Sequence, residues 1–245
     1  MHAVEAVALS RNYNGVRALR EINLRVAEGE IFGLLGPNGA GKSTMIKVLT
    51  GQLRPTSGHA TVMGYDVVTQ RQQLKPLIGV VFDCQNMYER MSGRENLLFF
   101  GRLYGVETMR VDEVLAQVGI AERAGDKVKT YSNGMRQRLL IGRGLLHNPR
   151  VVFLDEPTRG LDPNIARDIR AVIAGLAANG ITIFLATHYM EEADHLCQRV
   201  AILDEGRIVT LDTPARLKAM RGAEGIVTLE DVFVELTGRV LHRDS

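Results

Sequence analysis

Residues 31–44 read IFGLLGPNGAGKST, and the fold turns on how this stretch is parsed. Ile31 to Leu35 is a short apolar run with the look of a buried strand. GKSTMIKVLTG, from Gly41 on, has the composition of a helix that stops at Gly51. Between them lie Gly36, Pro37, Asn38, Gly39, Ala40 and Gly41, followed by Lys42, Ser43 and Thr44. Glycines let the backbone wrap closely around an anion, and a helix N-terminus directly after the loop adds uncapped N–H groups. Gly36 to Ser43 fits the spacing GxxxxGK[ST], in which the lysine reaches the terminal phosphates of a nucleotide and the hydroxyl serves Mg²⁺. Alone, this predicts only a nucleoside triphosphate site, because kinases, GTPases and motors share it.

VVFLDEP, residues 151–157, supplies a second part. An apolar strand ending in Asp155 delivers a carboxylate to the Mg²⁺ shell. Glu156 then stands where it could polarise a water for attack on the γ-phosphate. SNGMRQR, residues 132–138, is a polar turn opening a helix, and its bare N–H groups form a second anion-attracting site far from the first.

The rest of the chain organises around these motifs. AVEAVAL and EINLRVAEGE alternate as antiparallel strands joined at Asn14-Gly15, and HATVMGYD reads as one strand. From about residue 86 to 149 the period turns helical, predicting a helical subdomain inserted in an α/β core of residues 1–85 and 150–218. Strand–helix alternation on both sides of the insert predicts a mostly parallel sheet. RVAILDEGRIVTLD predicts a hairpin turning at Glu205-Gly206. A short helical tail, residues 219–245, carries the capping-box pattern of Thr228 and Asp231.

Bulk properties narrow the classes of function. With 30 basic against 28 acidic residues, the charge balance gives no reason to expect nucleic acid as a partner. Cys84 and Cys197 are far apart in sequence, which argues against a disulfide scaffold or a zinc site and fits a reducing cytosol. MHAVEAVALSRNY lacks a basic n-region and does not read as a signal peptide. Apolar runs such as ITIFLA are too short to span a bilayer, so membrane association is expected to come through a partner.

GPNGAGKST, SNGMRQR, VVFLDEPTRGLDP and LATH occur in the order found in the nucleotide-binding domains of ABC transporters, and nearly the whole chain resembles that family. The resemblance implies a RecA-like P-loop NTPase core with an N-terminal antiparallel β subdomain and an inserted helical subdomain. It implies that Ser132, Asn133 and Gly134 form the signature turn and that Gly160 to Asp162 cross a dimer interface. It also implies that His188 contacts the γ-phosphate and that Tyr13 stacks on adenine; by residue type alone these are a strand-end polar residue and a strand-face core residue. The implied assembly is a head-to-tail dimer of two copies, with each ATP lying on the phosphate loop of one and covered by the signature turn of the other. That accounts for two anion sites in one chain. Hydrolysis removes the bridging charge and loosens the pair.

Three positions depart from the family pattern. The signature, usually Leu-Ser-Gly-Gly-Gln, reads Tyr131-Ser132-Asn133-Gly134-Met135, and Asn133 is expected to keep the turn by tolerating the left-handed region. Arg159 replaces a common serine before Gly160. The glutamine that links γ-phosphate and Mg²⁺ to the helical subdomain corresponds to Asp83, which would add a third carboxylate near the metal; Gln85 is the alternative.

YERMSGRENLLFFGRLYG and TLEDVFVELTGR resemble the ATPase subunits of ABC-2-type exporters of drug-resistance and Nod-factor type. In that group the region of Tyr88 to Arg90 meets a separate membrane permease, which would hold the subunit on the inner face of the cell membrane. An importer ATPase is the alternative. A soluble ABC protein would usually carry paired cassettes, a coiled coil or zinc motifs, and a small P-loop kinase would need neither the signature turn nor the Asp-Glu pair.

Overall fold

The alternation of the first 27 residues folds as a twisted hairpin. The structure, a computed structural model, describes residues 2–82, 87–220 and 227–238. Strand β1 (His2–Tyr13) pairs antiparallel with β2 (Val16–Ala27). Asn14 and Gly15 reverse the chain with φ of 41° and 90°, the positive values a two-residue hairpin requires. Ile31–Leu35 forms β3, buried at every position, and the phosphate-loop sequence leads into helix α1 (Lys42–Leu49). HATVMGYD is not one strand. It is a second hairpin, β4 (Ser57–Val62) and β5 (Tyr65–Asp66), because Met63 and Gly64 turn the backbone with φ of 51° and 79°.

A short helix α2 (Arg71–Leu74) and a 3₁₀ turn at Lys75–Leu77 lead to β6 (Ile78–Val81). Helices α3 (Gly93–Tyr104), α4 (Thr108–Gln117) and α5 (Asn133–Leu145) follow. Ser92 caps α3 reciprocally with Glu95, and Arg94 holds Asp112 of α4 through two hydrogen bonds of 2.7 and 2.8 Å. The chain returns as β7 (Val151–Asp155), α6 (Pro163–Ala178), β8 (Thr182–Thr187) and α7 (Met190–Leu196). A hairpin of β9 (Arg199–Asp204) and β10 (Arg207–Asp212) turns at Glu205-Gly206 as its sequence predicts. Helix α8 (Pro214–Ala219) has no counterpart in the sequence reading; α9 (Leu229–Thr237) does, with the capping box of Thr228 and Asp231 formed.

One sheet has the order β2-β1-β4-β5, the other β10-β9-β3-β8-β7-β6. In the second, β9, β3, β8, β7 and β6 run parallel and only β10 is reversed. Its central strands are buried on both faces, yet they still sort by alternation. Phe32, Phe153 and Phe184 point toward α1 and the antiparallel sheet, with ring centroids 5.4–5.5 Å apart. Ile31, Leu35, Leu154 and Leu185 point toward α5, α6, α7 and α9.

Helix α5 joins the helical region to this sheet by backbone contact. A Cβ at Gly79 of β6 would lie 2.3 Å from the Gly144 carbonyl oxygen. Gly79→Ala should therefore destabilise the chain by about 1–3 kcal/mol, since backbone has to move. Urea unfolding is the check, with a lowered midpoint and an unchanged slope. A midpoint equal to wild type would mean that α5 is not seated against β6 as described.

Candidate active site

The central strands deliver the motifs to one edge of the sheet. Leu35 of β3 is opposite Thr187 of β8, and Ala186 of β8 is opposite Asp155 of β7. The next residues, Gly36, His188 and Glu156, thus leave three adjacent strand ends at the carboxyl edge, where parallel sheets hold their ligands. Residues 36–44, 155–156 and 188 share no local sequence; only strand order unites them.

The loop after β3 is shaped by close backbone approach. A Cβ at Gly36 would meet the Leu203 carbonyl oxygen at 2.2 Å, and one at Gly41 (φ 113°) the Ala18 carbonyl oxygen at 2.5 Å. Gly41 is the N-cap of α1 and offers no side chain to its first N–H groups, which leaves them available to an anion. Lys42 is buried and donates from Nζ to the carbonyl oxygens of Gly36 (2.6 Å) and Pro37 (3.2 Å). Ser43 is exposed in the first turn of α1. Pro37, Asn38, Gly39, Gly41, Lys42, Ser43 and Thr44 line a cavity of about 210 Å³ together with Asp155 and Glu156, whereas Gly36 and Ala40 are buried behind it as backbone supports.

Glu156 is the hub. Its backbone sits in the left-handed region (φ 53°), uncommon for a residue with a Cβ, while its N–H donates to Ala186 O at 2.8 Å. Oε2 accepts from His188 Nδ1 at 2.7 Å and from the His188 backbone N–H at 3.2 Å. Oε1 faces Lys42 Nζ at 3.0 Å, an ion pair without an aligned hydrogen bond. Burial alone would raise the carboxyl, but the His188 hydrogen bond and the Lys42 and His188 charges outweigh it and hold it below its ordinary value of 4.5. With Nδ1 committed to a carboxylate, His188 is left with a buried Nε2 that has no hydrogen-bond partner among the described residues.

Other residues singled out by sequence lie elsewhere. Ser132, the N-cap of α5, accepts from Met135 N–H at 3.3 Å, and with Gly134 it borders a separate cavity of about 570 Å³ beside Arg138 and Ile165. Asn133 is the first helical residue of α5 and is not left-handed, so the turn survives as a serine-capped helix start rather than through asparagine's tolerance. Asp162 is the exposed N-cap of α6. Tyr13 closes β1 with the Arg11 guanidinium 4.5 Å from its ring centroid. Asp83 and Gln85 lie outside the described residues. Sequence reasoning named Arg159 only as a departure, yet it lines the phosphate-loop cavity, as does Ala18. It also missed Thr158, Thr187 and Glu192, all buried behind Glu156 and His188, although a glutamate one helical turn after His188 was a visible signal.

Ser43 and Asp155 offer hard oxygen donors on one cavity wall. Among the described residues no group of three or more His, Cys, Asp or Glu side chains forms a metal cage. That donor set fits Mg²⁺, which binds through one or two protein oxygens and completes its shell with phosphates and water.

The ABC transporter family model matches residues 19–159. The chain is 42% identical to the fluoroquinolones export ATP-binding protein of Mycobacterium tuberculosis, across 91% of this chain and 89% of that protein. It is 37% identical to the daunorubicin/doxorubicin resistance ATP-binding protein DrrA of Streptomyces peucetius, across 99% and 78% of the two chains. Among solved structures, it superposes with a TM-score of 0.74 on the ATP-binding cassette MJ0796, a dimeric post-hydrolysis state bound to ADP and Pi, at 26% identity, across 86% and 98% of the two chains.

The pairing of Glu156 has a pH signature. Because its folded value lies below 4.5, the stability it contributes is present above that pH and lost as pH falls through the folded value. Between about pH 5 and pH 3, Glu156→Gln should lose less thermal stability than wild type, as read by calorimetry. Identical acid limbs for the two proteins would show that Lys42 and His188 do not hold a carboxylate there.

Proposed function

Since this chain belongs to the ABC transporter family, we propose that it is the ATPase subunit of an exporter and drives a separate membrane permease. The observation that carries this reading is the array of Lys42, at the start of α1, with Glu156 and His188, at two neighbouring strand ends, beside the phosphate loop. The exporter assignment is supported by relatives named for fluoroquinolone export and daunorubicin/doxorubicin resistance.

In this reading the N–H groups of the loop and of α1 wrap the β- and γ-phosphates, and Tyr13 stacks on the adenine through the ring face away from Arg11. Ser43 and Asp155 would hold Mg²⁺, which when bound would offset the negative charge of the phosphates. Phosphates compete with Glu156 for the Lys42 ammonium. As Lys42 turns to them, Oε1 of Glu156 is released and accepts a proton from the attacking water. Oε2 stays bound to His188, which keeps the base oriented, while His188 Nε2 points a polar group at the γ-phosphate. Arg159 adds a cation to the same wall.

The turn at Ser132 borders a different cavity from the phosphate loop of its own chain. This separation supports the head-to-tail dimer, in which the turn of one copy covers the nucleotide of the other and Asp162 lies at the crossing. For the permease, the helical region offers exposed apolar side chains: Tyr88, Phe99, Leu103, Tyr104 and Met109 are 37–71% exposed, and the Tyr88 and Phe99 ring centroids lie 5.0 Å apart. Among the described residues no helix is long and apolar enough to cross a membrane. The permease is thus the element that would keep the subunit on the inner face of the cell membrane.

Glu156→Gln, which removes the base and keeps the shape, should accumulate as a dimer when Mg-ATP is added, as seen by sedimentation velocity. Lys42→Ala should lower hydrolysis by roughly a hundredfold or more, through loss of a charge aimed at the transferred phosphoryl group. Ser132→Arg should block dimer formation while the monomer still binds ATP. A Glu156→Gln chain that stays monomeric at saturating ATP contradicts the sandwich, and loss of ATP binding in Ser132→Arg would place the turn in the wrong subunit.

A further inference from the structure

Glu192 lies in the first turn of α7, four residues after His188, and is fully buried. Its carboxyl faces the hydroxyls of Thr187 and Thr158, without an aligned hydrogen bond to either oxygen. Both threonines are buried too, at 0% and 4% exposure. Thr187 immediately precedes His188, and Thr158 follows Glu156 by two positions. The two residues that make the 2.7 Å contact at the centre of the site therefore each have a near neighbour against Glu192.

The charged surroundings do not favour a carboxylate. The groups that reach Glu192 from packed elements are Glu156, at the end of β7, and Arg170 on α6. The Arg170 guanidinium is 3.7 Å from the exposed Glu191 carboxylate, so its charge is shared. Cys197, just beyond α7, is itself pushed up by burial and then by the Glu192 and Glu30 charges. Helix α9 packs on α7 and buries Leu229, Val232 and Phe233. A carboxyl shut away from water, with another carboxylate nearby and no ion pair of its own among the described residues, does better as the neutral acid. In that form its O–H is a donor for one threonine hydroxyl and its carbonyl oxygen an acceptor for the other.

We propose that Glu192 is a positioning residue for ATP hydrolysis: as a neutral acid it ties the turn at Thr158 to the strand end at Thr187, and so holds Glu156 and His188 in register. The inference rests on Glu156 being the group that polarises the water. Ionisation of Glu192 removes the tie and adds a second negative charge beside Glu156. Consistently, burial followed by the Glu156 charge drives the Glu192 carboxyl from 4.5 up to about 7, against the opposing effect of the threonine hydroxyls and Arg170.

The test compares Mg-ATP hydrolysis by the full chain in wild type, Glu192→Gln, Glu192→Ala and Glu156→Gln, from about pH 6 to pH 8.5. Glutamine mimics the neutral acid at every pH. The ratio of kcat for Glu192→Gln to that of wild type should lie within about twofold at pH 6 and rise to about tenfold at pH 8, where only about a tenth of a group titrating near 7 is still protonated. Glu192→Ala should lower kcat at every pH with little change in KM for ATP, because the phosphate loop is untouched. A melting series supplies a readout independent of catalysis. With a folded value above the unfolded one, the contribution of Glu192 is full below about pH 4.5 and lost as pH rises toward 7, so wild type should weaken over that window relative to Glu192→Gln. A pH-independent ratio, or a Glu192→Gln variant as impaired as Glu192→Ala, overturns the proposal even if Glu192→Ala does not fold. Wild-type hydrolysis by Glu156→Gln would instead overturn the reading of Glu156 beneath it.

Discussion

The carboxylate of Glu156 accepts from His188 on one oxygen and meets Lys42 on the other, and this shared anion ties the start of α1 to the neighbouring ends of β7 and β8. Buried charges are tolerable only when paired, and breaking one pair leaves the remaining charge exposed to the full desolvation cost. The left-handed backbone of Glu156 adds to the constraint, since strain of this kind persists only where surrounding contacts over-determine it. Here those contacts are the backbone bond to β8, the imidazole of His188 and the ammonium of Lys42. Anything that draws one partner away must be felt by the others, which is the property required of a site that responds to a phosphate.

Around this centre the phosphate loop works by excluding side chains. Gly36 and Gly41 lie where a Cβ would collide with the Leu203 and Ala18 carbonyl oxygens, so the loop is held between β9 and β2. Both sheets therefore contribute to one anion site. The antiparallel hairpin supplies Ala18, while the start of α1 supplies Lys42 and the end of β7 supplies Asp155 and Glu156. Helix α5 carries the Ser132 turn at one end and is anchored at its far end by the close contact of Gly144 with Gly79. A rigid rod between Ser132 and β6 fixes where that turn is presented, on a cavity of its own. The phosphate loop and the Ser132 turn thus border separate cavities of one chain.

The sequence by itself determined the local chemistry. Strand, glycine loop and helix at residues 31–49, the hairpins at Asn14-Gly15 and Glu205-Gly206, and the capping box at Thr228 follow from short-range sterics and hydrogen bonding, which neighbours in sequence dictate. The same logic slipped where one pattern masked another. HATVMGYD is apolar enough for a continuous strand, but Gly64 permits a turn inside it; Asn133 looked like a left-handed residue, but Ser132 already caps the helix. Only the tertiary structure decided which motifs meet. The order β3-β8-β7 puts Lys42, His188 and Glu156 side by side across more than a hundred residues of chain, because long-range strand pairing is selected by the packing of whole faces. Burial, too, is a property of the assembled layers. Glu192 is in sequence one of two adjacent acids, and becomes an isolated carboxyl behind the site only once β8, α6 and α9 close around α7.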